Sequence, residues 1–286
     1  MKKIIFTLIA VIALASCGSK SEKTDVAEPE VARKIVSLNG TITEIIFDLQ
    51  ESDQLVGIDV TSSYPEKETA AIANLGHLSG ITAESILGLA PTHVLGFKDE
   101  VPAELIAQLK AAKIEVVLFE REYSISGVKS TIAEISKWFN KTTEGEKLAN
   151  QIDEDLKGMV TLKSQPHVLF VYARGVGMLM VAGENTQMDK MIEMAGGKNA
   201  VSGFEDFKPL TPESVIAAKP DLLLLFNSGT ESLSGGEGLL QIPGVKMTPA
   251  GINKSFLSMD GLYVSGFGPR IGKALVEINQ KLNELK

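Results

Sequence analysis

An internal echo constrains the fold of this chain more than any other feature. Residues 80–97 read G-I-T-A-E-S-I-L-G-L-A-P-T-H-V-L-G-F, and residues 209–226 read P-L-T-P-E-S-V-I-A-A-K-P-D-L-L-L-L-F. Laid together without a gap, both carry Thr-x-Glu-Ser, then Ile or Val, then a proline ahead of a buried-strand pattern, then Phe. A helix start followed by a proline-punctuated strand recurs in α/β proteins, but a gapless match along the whole segment points to two like halves. Glu84 of the first half then corresponds to Glu213 of the second.

The flanking pattern agrees. Lys34–Leu38 is a β-branched run ending at Asn39-Gly40, and Ile42, Ile45, Ile46 and Leu49 follow at helical spacing. Thr41 reads as the N-cap of that helix, with Glu44 closing a capping box. Leu55–Asp59, His93–Phe97 and Ile114–Phe119 read as strands separated by helices, the alternation of a mainly parallel sheet covered on both faces. The rhythm breaks over residues 127–165. One helix is predicted over Val128–Phe139 and a longer one from Thr142 to about Leu162, roughly 30 Å at 1.5 Å per residue. After Pro166 the alternation resumes, with strands at His167–Ala173, Met178–Ala182 and Pro220–Phe226 and a terminal helix over Ile271–Leu285. The expected fold class is α/β. Two Rossmann-like lobes, residues 33–126 and 166–286, are joined through the helical region 127–165 by a long bridging helix. Binding sites favour such domain interfaces, so the ligand is expected in the cleft between the lobes.

The N-terminus reads as an address. Lys2 and Lys3 precede the apolar run Ile4–Ala15, which is too short for a membrane span. It ends at L-A-S-C, and Cys17 is the only cysteine in the chain. This resembles the bacterial lipoprotein box, in which the cysteine is lipidated. Residues 1–17 are then a signal peptide, residues 18–32 a polar tether, and the body is held at a membrane outside the cytoplasm. No intrachain disulfide is possible. The net charge of −8 argues against nucleic acid as a partner.

His77 sits in a turn bracketed by Gly76 and Gly80, and an imidazole there can bind metal or titrate. Glu84 sits in the first turn of a helix, where the dipole favours a carboxylate. The plain alternatives are a polar surface histidine and a helix-stabilising glutamate. Enzyme signatures are missing: there is no G-x-S-x-G, H-E-x-x-H, P-loop or G-x-G-x-x-G. The three histidines lie far apart and no acidic cluster is arranged for zinc. The expectation is a binding protein, not an enzyme, with no catalytic cofactor.

Five further stretches narrow the reading. They are I-V-S-L-N-G-T-I-T-E-I-I at 35–46, D-V-T-S-S-Y-P at 59–65, A-G-G-K-N-A-V-S-G-F at 195–204, F-K-P-L-T-P-E-S-V at 207–215 and M-D-G-L-Y-V-S-G-F-G-P-R at 259–270. With the lipoprotein signal and the paired T-x-E-S segments, they resemble the solute-binding proteins of bacterial ABC importers for siderophores, cobalamin and haem, and the haem-binding branch in particular. The resemblance implies haem as transported cargo, held in the cleft by a monomer and delivered to an ABC permease dimer with its ATPase. The alternative is cobalamin or a ferric siderophore. In the haem branch the segment matching L-G-H-L-S-G-I-T-A-E usually reads V-G-Y-M-R-x-L-S-A-E, whose tyrosine ligates the iron and whose arginine can hold a propionate. His77 stands at the tyrosine position, and histidine is itself a haem-iron ligand. Ser79 stands where the arginine would be. Tyr64, Arg174 and Met178 are further candidate haem contacts, and no metal beyond haem iron is expected. The resemblance also implies that Glu84 and Glu213 dock onto permease arginines, one lobe per subunit.

Overall fold

A computed structural model describes residues 33–285 of the chain. The signal segment 1–17 with Cys17 and the tether 18–32 lie outside the described residues. Four strands, β1 (Ile35–Ser37), β2 (Leu55–Ile58), β3 (His93–Phe97) and β4 (Glu115–Phe119), form an all-parallel sheet in the order β2-β1-β3-β4. Its two inner strands, β1 and β3, are buried almost throughout, as a parallel sheet covered on both faces requires, while the edge strand β4 is only partly covered.

The second sheet differs from the purely Rossmann-like expectation. It contains β5 (His167–Ala173), β6 (Leu179–Ala182), β7 (Lys198–Asn199), β8 (Phe207–Pro209), β9 (Leu222–Phe226) and β10 (Phe256–Met259). The order is β10-β9-β5-β6-β8, with β7 paired to β5. β5, β9 and β10 run parallel, whereas β6 is antiparallel to both β5 and β8. The cause is local: the Arg174–Met178 turn is too short for a crossover, so β6 must return as a hairpin. Leu222 to Leu225 of β9 are fully buried, as their unbroken apolar run predicts.

Two helices link the sheets, Ile125–Trp138 and Thr142–Leu156. The bridging helix stops at Leu156 rather than near Leu162. At its end Asn279 of the terminal helix Ile271–Asn283 takes over the backbone bonding. Its Nδ2 donates to the carbonyls of Val160 and Ala195, at 3.1 and 3.0 Å, and its Oδ1 accepts from the Val160 amide at 2.8 Å. Gly158 also lies where a Cβ would meet the Val276 side chain at 3.0 Å, so the chain turns along the terminal helix instead of continuing outward. One apolar cluster runs from Ile42, Ile45 and Ile46 through Ile132, Ile135 and Ile152 to Phe170, Leu224, Leu275 and Ile278, so both sheets share a core.

The first helix, Gly40–Asp48, is capped differently from expectation. Asn39 is the N-cap, its Oδ1 accepting from the Thr41 amide at 2.8 Å. Thr41 and Glu44 face the second half instead: Thr41 Oγ1 donates to the Gly266 carbonyl at 2.5 Å, and Glu44, 2% exposed, receives two hydrogen bonds from Arg270 at 2.7 and 2.9 Å. The internal echo holds at atomic detail. Thr82 caps Ala83–Leu87 and Thr211 caps Pro212–Ala218, each in a reciprocal box closed by the serine three residues on.

Candidate functional site

Between the sheets lies an open cavity of about 370 Å³. Its walls come from the carboxyl ends of parallel strands: Asn39 and Thr41 after β1, Val60, Thr61 and Ser63 after β2, Glu100 after β3, Arg121 after β4, Phe226 at the end of β9, and Asp260, Gly261 and Leu262 after β10. His77, Gln187, Ser265 and Gly266 complete the lining. β1 sits between β2 and β3, so the chain leaves it to opposite sides, and ligands of open α/β sheets bind at such a switch point.

His77 is brought to this cavity by backbone pairing. The segment before it lies along β2: the Leu75 amide donates to the Ile58 carbonyl at 2.8 Å, and the Val60 amide to the Gly76 carbonyl at 2.9 Å. Gly76 makes the turn at φ +85°, a region costly for other residues. His77 is exposed and its imidazole makes no hydrogen bond or ion pair among the described residues. The other two histidines lie at the opposite end of the sheets and are engaged. His93 Nδ1 lies 2.7 Å from Thr92 Oγ1 and its Nε2 3.2 Å from Glu115, while His167 lies 3.6 Å from Asp221.

The remaining candidates surround the cavity without lining it. Tyr64, 40% exposed, stacks on the Arg270 guanidinium at 3.7 Å, with Tyr263 on that group at 5.2 Å. Burial, then the nearby Glu277 charge, pushes the Tyr263 phenol up to about 12, so it stays protonated at neutral pH. Arg174 and Met178 lie on the β5–β6 turn at the cleft end of β5, both exposed, with Arg174 5.6 Å from the Tyr172 ring. Tyr172 stands in an aromatic row with Phe226, at 6.1 Å, and Phe207, at 6.5 Å. Sequence reasoning passed over this row, although Phe170 and Tyr172 alternate on one face of β5. It also passed over Asn39, Glu100, Arg121 and Asp260. Their signal was positional, since each follows the end of a parallel strand.

Two further contacts join the halves at the cavity. Gln187 Nε2 donates to the Tyr123 hydroxyl at 2.9 Å, and the Tyr123 ring meets Phe267 edge-on at 5.0 Å. Phe267 is buried with φ +54°, a left-handed conformation that a bulky residue keeps only when its surroundings fix it.

Glu84 and Glu213 are both exposed, each in the first turn of its matched helix. Hydrogen bonds from its own backbone amide and from Thr82 hold the Glu84 carboxyl below its ordinary value. Each helix returns toward the start of a parallel strand, β3 or β9, so both N-termini lie toward the cleft end of their halves.

The family model described as periplasmic binding protein matches residues 35–262. The chain belongs to this family. Among solved structures it is similar to the apo form of the periplasmic heme-binding protein RhuT from Roseiflexus sp. RS-1, 40% identical, with a TM-score of 0.84 over 88% of this chain and 98% of that one. Among sequence relatives it is similar to the uncharacterized ABC transporter substrate-binding lipoprotein YvrC of Bacillus subtilis (strain 168), 23% identical over 96% of this chain and 94% of the relative. It is also similar to the vitamin B12-binding protein of Yersinia pestis (strain Pestoides F), 21% identical over 80% and 81%. The family is one of binding proteins, and among the described residues no helix is long and apolar enough to cross a membrane.

Proposed function

We propose that the chain is the cargo-binding component of an ABC importer, that its cargo is haem, and that His77 ligates the iron. The observation that carries this reading is the position of His77: of the three histidines, it is the one at the inter-sheet cavity, with its imidazole unengaged. Neutral imidazole is a good axial ligand for haem iron. The apolar residues exposed around the cleft, Val60, Tyr64, Val176, Met178 and Phe207, fit a flat porphyrin whose edge projects beyond the cavity. The Tyr172–Phe226 wall supplies a stacking surface, and Arg174 at the mouth a cation for a propionate. The similarity to RhuT supports haem as cargo. The similarity to a vitamin B12 binder keeps a corrinoid as the competing cargo.

Delivery follows from the two carboxylates. Glu84 and Glu213, one per half, meet basic groups on a two-subunit permease; exposed ion pairs of this kind set orientation and encounter rate more than affinity. The expected anchor is lipid on Cys17, with the body outside the cytoplasm. The test of cargo is competitive: hemin and cyanocobalamin are offered to the purified protein, and thermal stabilisation and bound absorbance are read. Stabilisation by hemin alone supports the reading, and stabilisation by cobalamin alone moves the assignment to the corrinoid.

A further inference from the structure

The floor of the cleft is arranged to refuse the carboxylates of its cargo. Arg121 is the cation of the cavity lining, and its side chain is 8% exposed. Its guanidinium lies over the rings of Phe97 and Tyr123, at 4.7 and 5.0 Å. One Nη donates to Asp99 and the other to Glu100, both at 2.8 Å, while Nε is buried without an acceptor. The second oxygen of Glu100 accepts from Asn39 Nδ2 at 2.9 Å. The opening amides of the helix Gly40–Asp48 are also taken: Gly40 N donates to Thr61 Oγ1 and Thr41 N to Asn39 Oδ1, both at 2.8 Å. Thr61 Oγ1 in turn donates to Asp59 at 2.7 Å. Both terminal nitrogens of the guanidinium and the two opening helix amides are thus taken by the chain's own acceptors, and the remaining Nε is buried out of a ligand's reach. What the floor shows to a ligand is Glu100, 28% exposed, with Asp260 on the opposing wall. Two acids against one guanidinium leave the Asp99–Glu100–Arg121 cluster net negative.

We propose that Glu100 is an orientation-determining residue: it occupies Arg121 and Asn39, and so holds the cargo's carboxylates away from the floor and out at the cleft mouth. Arg174 stands at that mouth, exposed and without an ion pair among the described residues. The porphyrin then enters with its apolar edge first. This inference rests on haem as cargo.

The test compares hemin with hemin dimethyl ester, whose propionates carry no charge, on the wild type and on Glu100→Gln. Gln keeps an acceptor for Asn39 but frees Arg121 of one counter-charge. The wild type is expected to bind acid and ester within roughly fivefold of each other, the worth of an exposed ion pair. Glu100→Gln is expected to shift that ratio toward the free acid by roughly tenfold, because Arg121 becomes a partner for a charged group. Asp260→Asn, which keeps a competent cap for the Gly261–Ser265 helix, shifts it the same way by roughly threefold and serves should Glu100→Gln fail to fold. A wild type preferring the free acid by more than about a hundredfold, or variants with an unchanged ratio, would overturn the inference while leaving haem binding intact. A wild type that binds neither compound removes the haem reading, and this inference with it.

Discussion

At the scale of single residues, the chain separates charged groups tied into the structure from polar groups left without a partner. Glu44, Arg121 and Asp59 are charged and sheltered, and each is tied to named partners. His77 has none. Asp48, exposed as a residue at the end of its helix, carries its charge at a cost. Burial first, and then repulsion from Glu44, raises its carboxyl from 3.8 to about 6, against the pull of Arg270 and Lys273. The sign follows from proton binding: the folded chain holds this proton more tightly than the unfolded chain, so stability falls as pH rises from about 4 through 6. Asp48→Asn is therefore expected to raise the melting temperature at pH 7.5 and to leave it unchanged at pH 4. Because Asp48 is solvent-exposed as a residue, the gain is about 1 kcal/mol or less. Thermal melts of both proteins across that window check it.

At the scale of elements, the Gly266–Arg270 segment is the second junction between the halves, beside the bridging helix. It is pinned by Thr41, by Glu44 and by the ring of Tyr123. Arg270→Ala would leave Glu44 buried and unpaired, a loss on the order of 3 kcal/mol, read as a lower denaturant midpoint. Thr41→Val removes one hydrogen bond and is expected to cost about 1 kcal/mol. Much of the element order was legible in sequence, because β9 is a run of leucines and the T-x-E-S echo carries its own caps. The Thr41–Glu44 capping box was misread for a physical reason: the same residue types serve a helix end or a distant partner, and only the fold puts Arg270 within reach of Glu44. The end of the bridging helix was hidden likewise, since it is set by Asn279, far along the chain. Asn39, Glu100 and Arg121 carry no local motif, and become a site only when parallel strands bring their ends together.

At the scale of the whole molecule, the two halves share one core, two junctions and matched carboxylates at the cleft end. Charge reversal at both Glu84 and Glu213, to lysine, is expected to abolish cargo uptake in cells while hemin binding in solution stays within about twofold, since exposed charges contribute little elsewhere. Loss of hemin binding in that double variant would contradict the separation of docking from capture. In the proposed function, capture turns on His77. The direct measurement is a Soret-band titration of hemin into the wild type and His77→Ala. The account predicts a saturable shift in the wild type, and in His77→Ala a different band with affinity lower by at least roughly tenfold, the loss of one coordinate bond being worth more than an ordinary hydrogen bond. An identical band and affinity in His77→Ala would contradict it.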